Sequence, residues 1–213
     1  MKGSTHLAIG LAIGAVAAVT YPFSPMNAAA YMAVAAVSAL SPDLDGPSML
    51  SSKLTKLSKL LYGFLQGGGW VLTGTAVYLY VADDYFNLPL SLLAVSTLLA
   101  GLFAKQGAIR NALVSIVGAS LLFGGVSLGM EWLMGLGLFV AWAPWLKHRG
   151  MTHTLWAVLL WTAIAYGLEQ QLQMPGIMRV AMLGYLSHLI ADSLTPSGVK
   201  WFYPLIKKSI KLP

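Results

Sequence analysis

Apolar residues run along this chain in long blocks, with polar and turn-forming residues gathered between them. Blocks of this length, without period-two alternation, predict helices rather than strands. The turn residues divide them into eight helices, at about 6–20, 28–41, 68–82, 88–104, 110–128, 132–146, 153–168 and 177–193. Several fall short of the ~20 residues that an upright membrane span prefers. Gly10 and Gly14 sit four apart in the first block, a spacing that lets two helices approach closely. Residues 48–64, "SMLSSKLTKLSKLLYGF", follow a different pattern. Leu50, Leu54, Leu57 and Leu61 line one helical face with Lys53, Lys56 and Lys59 beside it, which predicts a basic amphipathic helix lying in a membrane interface. The opening "MKGSTHLAIGLAIGAVAAV" has the charge and apolar run of a signal peptide. It reads better as the first membrane helix, capped by Ser4 or Thr5, because His6 has no place in a signal peptide.

Composition turns a helical pattern into a membrane one. Of 213 residues 57% are hydrophobic and 9% charged, and the mean hydropathy is +0.72. A soluble surface needs about 25% charged residues. The expected fold is therefore all-α, a multi-pass transmembrane bundle of about eight helices plus the interfacial helix, as one domain over 1–213. With no cysteine, disulfides and thiolate metal sites are excluded. The net charge of +6 fits cytoplasmic loops and anionic lipid headgroups better than nucleic acid. Lys2, the Lys53/Lys56/Lys59 group, Lys105 with Arg110, Lys147 with Arg149, and Lys200 through Lys211 fall at alternate helix ends, and only Arg179 departs from the rule. The expectation is an inner-membrane protein with both termini in the cytoplasm.

That orientation gathers the polar residues on one face. His6 opens the first helix, and Asp43 and Asp45 in "LSPDLDGP" close the second. His148 and His153 lie in "WLKHRGMTHTLW", where Thr152 is a candidate cap for the seventh helix. His188 and Asp192 stand one turn apart in "GYLSHLIADSLTPSG". Each has an ordinary alternative: a solvated His6, an Asp-Pro turn, a positive-inside loop, a hydrogen bond between helices. Together, imidazoles and carboxylates without thiolate make the ligand set of zinc or a similar divalent ion, manganese included. Seven candidate ligands, His6, Asp43, Asp45, His148, His153, His188 and Asp192, exceed what one catalytic zinc needs and predict two ions, or three.

The blocks "STHLAIG", "SPDLDGP", "HRGMTHT" and "SHLIADSLTPSG" followed by "WFYPL" resemble, in order and spacing, the family of membrane-bound metal-dependent hydrolases of the LexA-regulated inner-membrane type. That resemblance implies a distant relation to zinc-dependent phospholipase C and the P1-type nucleases, helical phosphoesterases with three zinc ions held by His and Asp. This chain has one His-x-x-x-Asp pair and fewer histidines than that set. The expected function is a metal-dependent phosphoester hydrolase acting on a lipid or lipid-linked phosphate at the cytoplasmic face. Asp45 or Asp192 is then the base or water-holding carboxylate, and Arg149 the phosphate-binding fork. Thr195, Ser197 and Gly198 would support the site, while Trp201 and Tyr203 would anchor the interface. The alternatives are a transporter or ion carrier using the same His/Asp cluster, and a structural protein whose metal staples helix ends.

Overall fold

The computed structural model describes residues 1–211, and among these the fold is all-α: eight helices, with one bridged pair, Val199 and Ile210, standing outside them. They are α1 (Gly3–Thr20), α2 (Pro25–Leu40), α3 (Ser52–Asp83), α4 (Leu88–Phe103), α5 (Gln106–Leu128), α6 (Glu131–Trp142), α7 (Leu155–Leu172) and α8 (Ile177–Ser193). Short 3-10 turns cover Ser41–Asp45, Ala143–Trp145 and Met151–His153.

Local chemistry accounts for most of the boundaries. The Ser24 hydroxyl accepts from the Asn27 N–H at 3.0 Å with Pro25 opening α2, so this helix starts three residues before the expected Ala28. Asn87 caps α4 in the same way. The cap of α7 is Thr154 rather than Thr152, and α1 begins at Gly3 with no side-chain cap, so neither Ser4 nor Thr5 serves there. The largest departure is at residues 48–64. There is no separate interfacial helix: residues 52–64 form the opening turns of the 32-residue α3, which continues through Gly67, Gly68 and Gly69. Those glycines do not break it because one of them has a packing use. A Cβ on Gly69 would lie 2.7 Å from Leu98 Cα, and one on Gly101 would lie 2.8 Å from the Leu65 carbonyl oxygen.

Backbone contacts divide the chain into two compact units where the sequence shows no boundary: residues 1–52 with those from Val114 onward, and residues 53–113. In the second unit α3 pairs with α4 through the two glycine contacts just described. In the first, α2 is the central helix. A Cβ on Gly14 of α1 would lie 2.5 Å from Met32 Cα, while Cβ atoms on Gly10 of α1 and Gly184 of α8 would lie 2.9 and 2.7 Å from the same Ala35 oxygen. Around this contact the core is dry and pinned by single polar links. Trp161 donates to Ser38 Oγ at 2.8 Å, the Tyr185 hydroxyl donates to the Thr152 carbonyl at 2.7 Å, and Phe139 meets Trp161 edge-on.

Outside the core the helices display apolar side chains: Val16, Val19 and Leu159 in the first unit, Trp70, Val81 and Phe103 in the second. Patches on this scale mark a surface whose surroundings are themselves apolar. Two helices, α1 and α5, are long and apolar enough to cross a bilayer, and α4 is a shorter apolar helix.

Substituting Gly184→Val is expected to destabilise the protein by about 1–3 kcal/mol through overpacking against α2. Gly63→Ala, where a Cβ would meet nothing within 4 Å, is expected to stabilise α3 by about 0.5–1 kcal/mol. Reversible unfolding in detergent checks both, and equal effects would contradict the helix contact described.

Candidate metal centre

Four segments of the first unit bring their polar residues to one place. His6 comes from the first turn of α1, Asp43 and Asp45 from the 3-10 turn after α2, and His188 and Asp192 from the last turns of α8. His148, Arg149 and His153 come from the link between α6 and α7. His6, His153, His188 and Asp192 are buried, as is Asp45, whereas Asp43 is partly open and the His148 side chain is 58% exposed. All seven expected ligands and Arg149 therefore lie in one neighbourhood, with His148 at its rim.

The imidazoles are held from behind. His188 Nδ1 lies 2.7 Å from the Ala39 carbonyl oxygen, which can only accept, so Nδ1 carries the proton and Nε2 presents its lone pair. The His6 ring stacks on His188 at 3.7 Å between centroids, and the His153 ring stands edge-on to His188 at 5.2 Å. The Nε2 atoms of His6, His153 and His188 are buried and have no hydrogen-bond partner among the described residues. A buried polar atom left unpaired costs about 1–3 kcal/mol, so three together require an explanation.

Their nearest neighbours are carboxylates. From Asp43 Oδ1, His188 Nε2 is 3.5 Å away and His153 Nε2 3.6 Å. His6 Nε2 lies 3.4 Å from Asp192 Oδ1, and the other two imidazoles each lie 4.0 Å from Asp192 Oδ2. These separations are long for hydrogen bonds. They approach the spacing of donors around a shared ion, since Zn–N bonds of ~2.0–2.1 Å set tetrahedral ligands ~3.3–3.4 Å apart. Three donor groups are compact enough to hold an ion: His6/Asp43/His188, His153/His188/Asp192 and Asp43/Asp45/His148.

Both oxygens of Asp45 are occupied by donors from the link between α6 and α7. Oδ1 lies 2.7 Å from His148 Nδ1, while Oδ2 accepts from the Arg149 N–H at 3.0 Å and the Thr152 hydroxyl at 2.7 Å. Burial raises the Asp45 carboxyl pKa, but the bonds from His148, His153 and Thr152 outweigh it and hold it at about 2. Asp43 is likewise pushed up by burial and pulled well below the usual carboxylate range by His153 and His188. His153 shows the reciprocal effect: burial lowers its pKa, and Asp43 with Asp45 raise it by more.

The clamp on Asp45 shapes the "HRG" turn. Arg149 has φ +57°, a left-handed conformation that costs a non-glycine residue about 1–2 kcal/mol, and its N–H bond to Asp45 holds it there. This turn sets the Arg149 guanidinium 3.0 Å from Asp192 Oδ2. The Met1 ammonium contacts Asp192 Oδ1 from the other side. Sequence reasoning missed three supports: the Ala39 carbonyl, the Met1 ammonium and the Thr152 hydroxyl. Only Thr152 carried a signal, as a hydroxyl inside "HRGMTH". Thr195 closes α8 by donating to the Asp192 carbonyl at 2.7 Å. Trp201 proves to be a packing residue, donating to Ser193 and accepting from the Leu155 N–H.

Among known proteins, the chain is similar to the inner membrane protein YdjM of Escherichia coli (strain K12) and that of Shigella flexneri. Each is 41% identical over 64 residues, covering 27% of this chain and 30% of the relative. The matched segment is thus under a third of either protein's length. No solved structure matches the chain. The family comparison is broader: residues 1–213 match the model described as YdjM inner membrane protein, so the chain belongs to the YdjM inner membrane protein family.

Proposed function

We propose that this protein is a metal-dependent hydrolase that cleaves a phosphoester of a lipid or lipid-linked substrate at the cytoplasmic face of the inner membrane. One observation carries the reading: three buried imidazole Nε2 atoms, unpaired among the described residues, converge on the carboxylates of Asp43 and Asp192. That donor set fits a divalent cation, zinc before manganese, and would give each of these three Nε2 atoms a partner. His6, Asp43, His153, His188 and Asp192 would hold it.

The donor set also limits the number of ions. His188 belongs to both buried groups, and with Nδ1 committed to Ala39 it has one free nitrogen. Those two groups are therefore alternative seats for one ion. The rim group Asp43/Asp45/His148 supplies a second seat, where His148 Nδ1 would have to release Asp45 Oδ1. Two ions, not three, is the count these residues support.

When bound, such a cation lowers the pKa of water towards ~7 and neutralises charge on phosphate oxygens. The protein's own groups supply the rest. Arg149, fixed by its turn and partly exposed, offers a planar fork for two phosphate oxygens. Asp192 orients that fork, and Asp45 holds the turn behind it. Asp45 or Asp192 would hold the attacking water, Asp45 braced by the loop donors and Asp192 by Arg149 and the Met1 ammonium. The apolar helix sides and the Lys/Arg distribution support the substrate class, a lipid at an interface carrying anionic headgroups.

Detergent-purified protein equilibrated with zinc is expected to retain between one and two equivalents by mass spectrometry, and His188→Ala/Asp192→Ala to lose at least one while keeping its helical content. Retention below half an equivalent in the wild type would end the metal reading. Arg149→Gly keeps the left-handed turn and removes the fork. It is expected to lower the rate of phosphate-ester release from mixed-micelle phospholipids by about 10²–10³-fold at unchanged metal content. If the metal-loaded wild type releases nothing from such a panel, hydrolysis is the wrong chemistry, and zinc or proton uptake in proteoliposomes becomes the assay of choice.

A further inference from the structure

Thr152 is fully buried between two residues of the metal centre, and its place there is dictated by hydrogen-bond arithmetic. A threonine hydroxyl has one proton to give. The 2.7 Å contact from Thr152 Oγ to Asp45 Oδ2 spends it, since a carboxylate only accepts. The other neighbour of Oγ is His153 Nδ1, 3.0 Å away. With its proton committed, Oγ can only accept there, so Nδ1 must carry hydrogen. Asp45 Oδ2, 3.3 Å from the same nitrogen, is also an acceptor and imposes the same answer. A neutral imidazole protonated at Nδ1 has its lone pair on Nε2. His153 Nε2 is the atom that faces Asp43 Oδ1 and Asp192 Oδ2.

We propose that Thr152 is a positioning residue: relayed from Asp45, its hydroxyl fixes His153 as the Nδ1–H tautomer and turns Nε2 towards a divalent cation. The proposal rests on the metal reading given above and adds the device that makes His153 a competent ligand. His188 reaches the same state by a different route, through the Ala39 carbonyl. Thr152 is itself fixed at the backbone, where its carbonyl accepts from the buried Tyr185 hydroxyl at 2.7 Å. The relay is thus braced from α8 as well as from the turn after α2. Partners of this kind set both the tautomer and the ring angle of a ligating histidine.

Two variants separate this role from simple packing. Thr152→Val removes the hydroxyl at nearly constant volume, and Thr152→Ser keeps it. Zinc affinity, measured by competition with a chromophoric chelator, is expected to fall about 10- to 100-fold in Thr152→Val and to return close to wild type in Thr152→Ser. Independently, long-range ¹H–¹⁵N spectra of metal-free, ¹⁵N-histidine-labelled wild type and Thr152→Ser at alkaline pH are expected to show His153 protonated at Nδ1. His153→Gln assigns the signal, and matched helical content and melting establish that the variants are folded. An Nε2–H tautomer in the wild type, wild-type affinity in Thr152→Val, or a Thr152→Ser defect as large as that of Thr152→Val would each overturn the role of Thr152. A wild type that binds no zinc while showing the expected tautomer would instead overturn the metal reading, and with it the cation half of this proposal.

Discussion

The contact on which the rest of the first unit depends is the approach of two glycines to one carbonyl. Gly10 of α1 and Gly184 of α8 both lie against the oxygen of Ala35 on α2, at distances a side chain could not share. One helical turn further on, each of the three helices delivers a part of the candidate metal centre. From Gly10 back to residue 6 is His6, from Gly184 on to residue 188 is His188, and from Ala35 on to residue 39 is the carbonyl that holds His188. The 3.7 Å stack of the two imidazoles is therefore the glycine contact read one turn along. Small residues are a common means of helix association where lipid removes the hydrophobic driving force between helices. In this chain the same residues also set the spacing of ligands.

The three aspartates of the site have different partners, and that difference bears on the proposed metal site. Asp45 has donors on both oxygens and shapes the turn that carries His148 and Arg149. Asp43 faces imidazole nitrogens at 3.5–3.6 Å, and Asp192 faces them at 3.4–4.0 Å while also holding the Arg149 guanidinium and the Met1 ammonium. A network whose purpose was to staple helix ends would close those gaps, because each unmade bond leaves buried polarity uncompensated. Donors arranged to share one cation would stand at about this spacing. The left-handed Arg149 points the same way, since backbone strain of this kind clusters where geometry serves a ligand.

Much of this was readable in the sequence for physical reasons that can be named. Helix positions followed from blocks of apolar residues, and the His/Asp grouping followed from charge placement at helix ends. The glycine contacts were visible as Gly10-x-x-x-Gly14, though the partner helix was not. What remained hidden depended on long-range pairing or on local competition. Residues 48–64 and 68–82 read as two helices because three glycines ordinarily interrupt one, and tertiary contact at Gly69 overrides that tendency. Asp43 and Asp45 both read as ligands in "SPDLDGP", and only the 3-10 turn separates a carboxylate facing the imidazoles from one facing the next loop. Thr152 read as the cap of the seventh helix, and the backbone instead places Thr154 at the start of α7 and frees Thr152 for Asp45.

The depth of the site bears on the choice between hydrolysis and transport. Along α8 the residues between Arg179 and His188 that are buried, Val180, Ala181, Gly184 and Tyr185, carry no carboxylate, amine or imidazole across ~13 Å of helix. Glu169, towards the far end of the first unit, is engaged in capping, accepting from the Met178 N–H at 2.8 Å where α8 begins. A carrier built on His and Asp needs stations along its path, and known carriers place the binding site near the bilayer centre in broken helices. Here α1, α2 and α8 run unbroken, and among the described residues of the first unit the polar groups of the centre form one layer at their ends. A terminal layer, open at Asp43, His148 and Arg149 and closed behind by dry packing, suits a reactant that arrives from the interface and leaves by it. That arrangement favours chemistry at the membrane surface over passage through it.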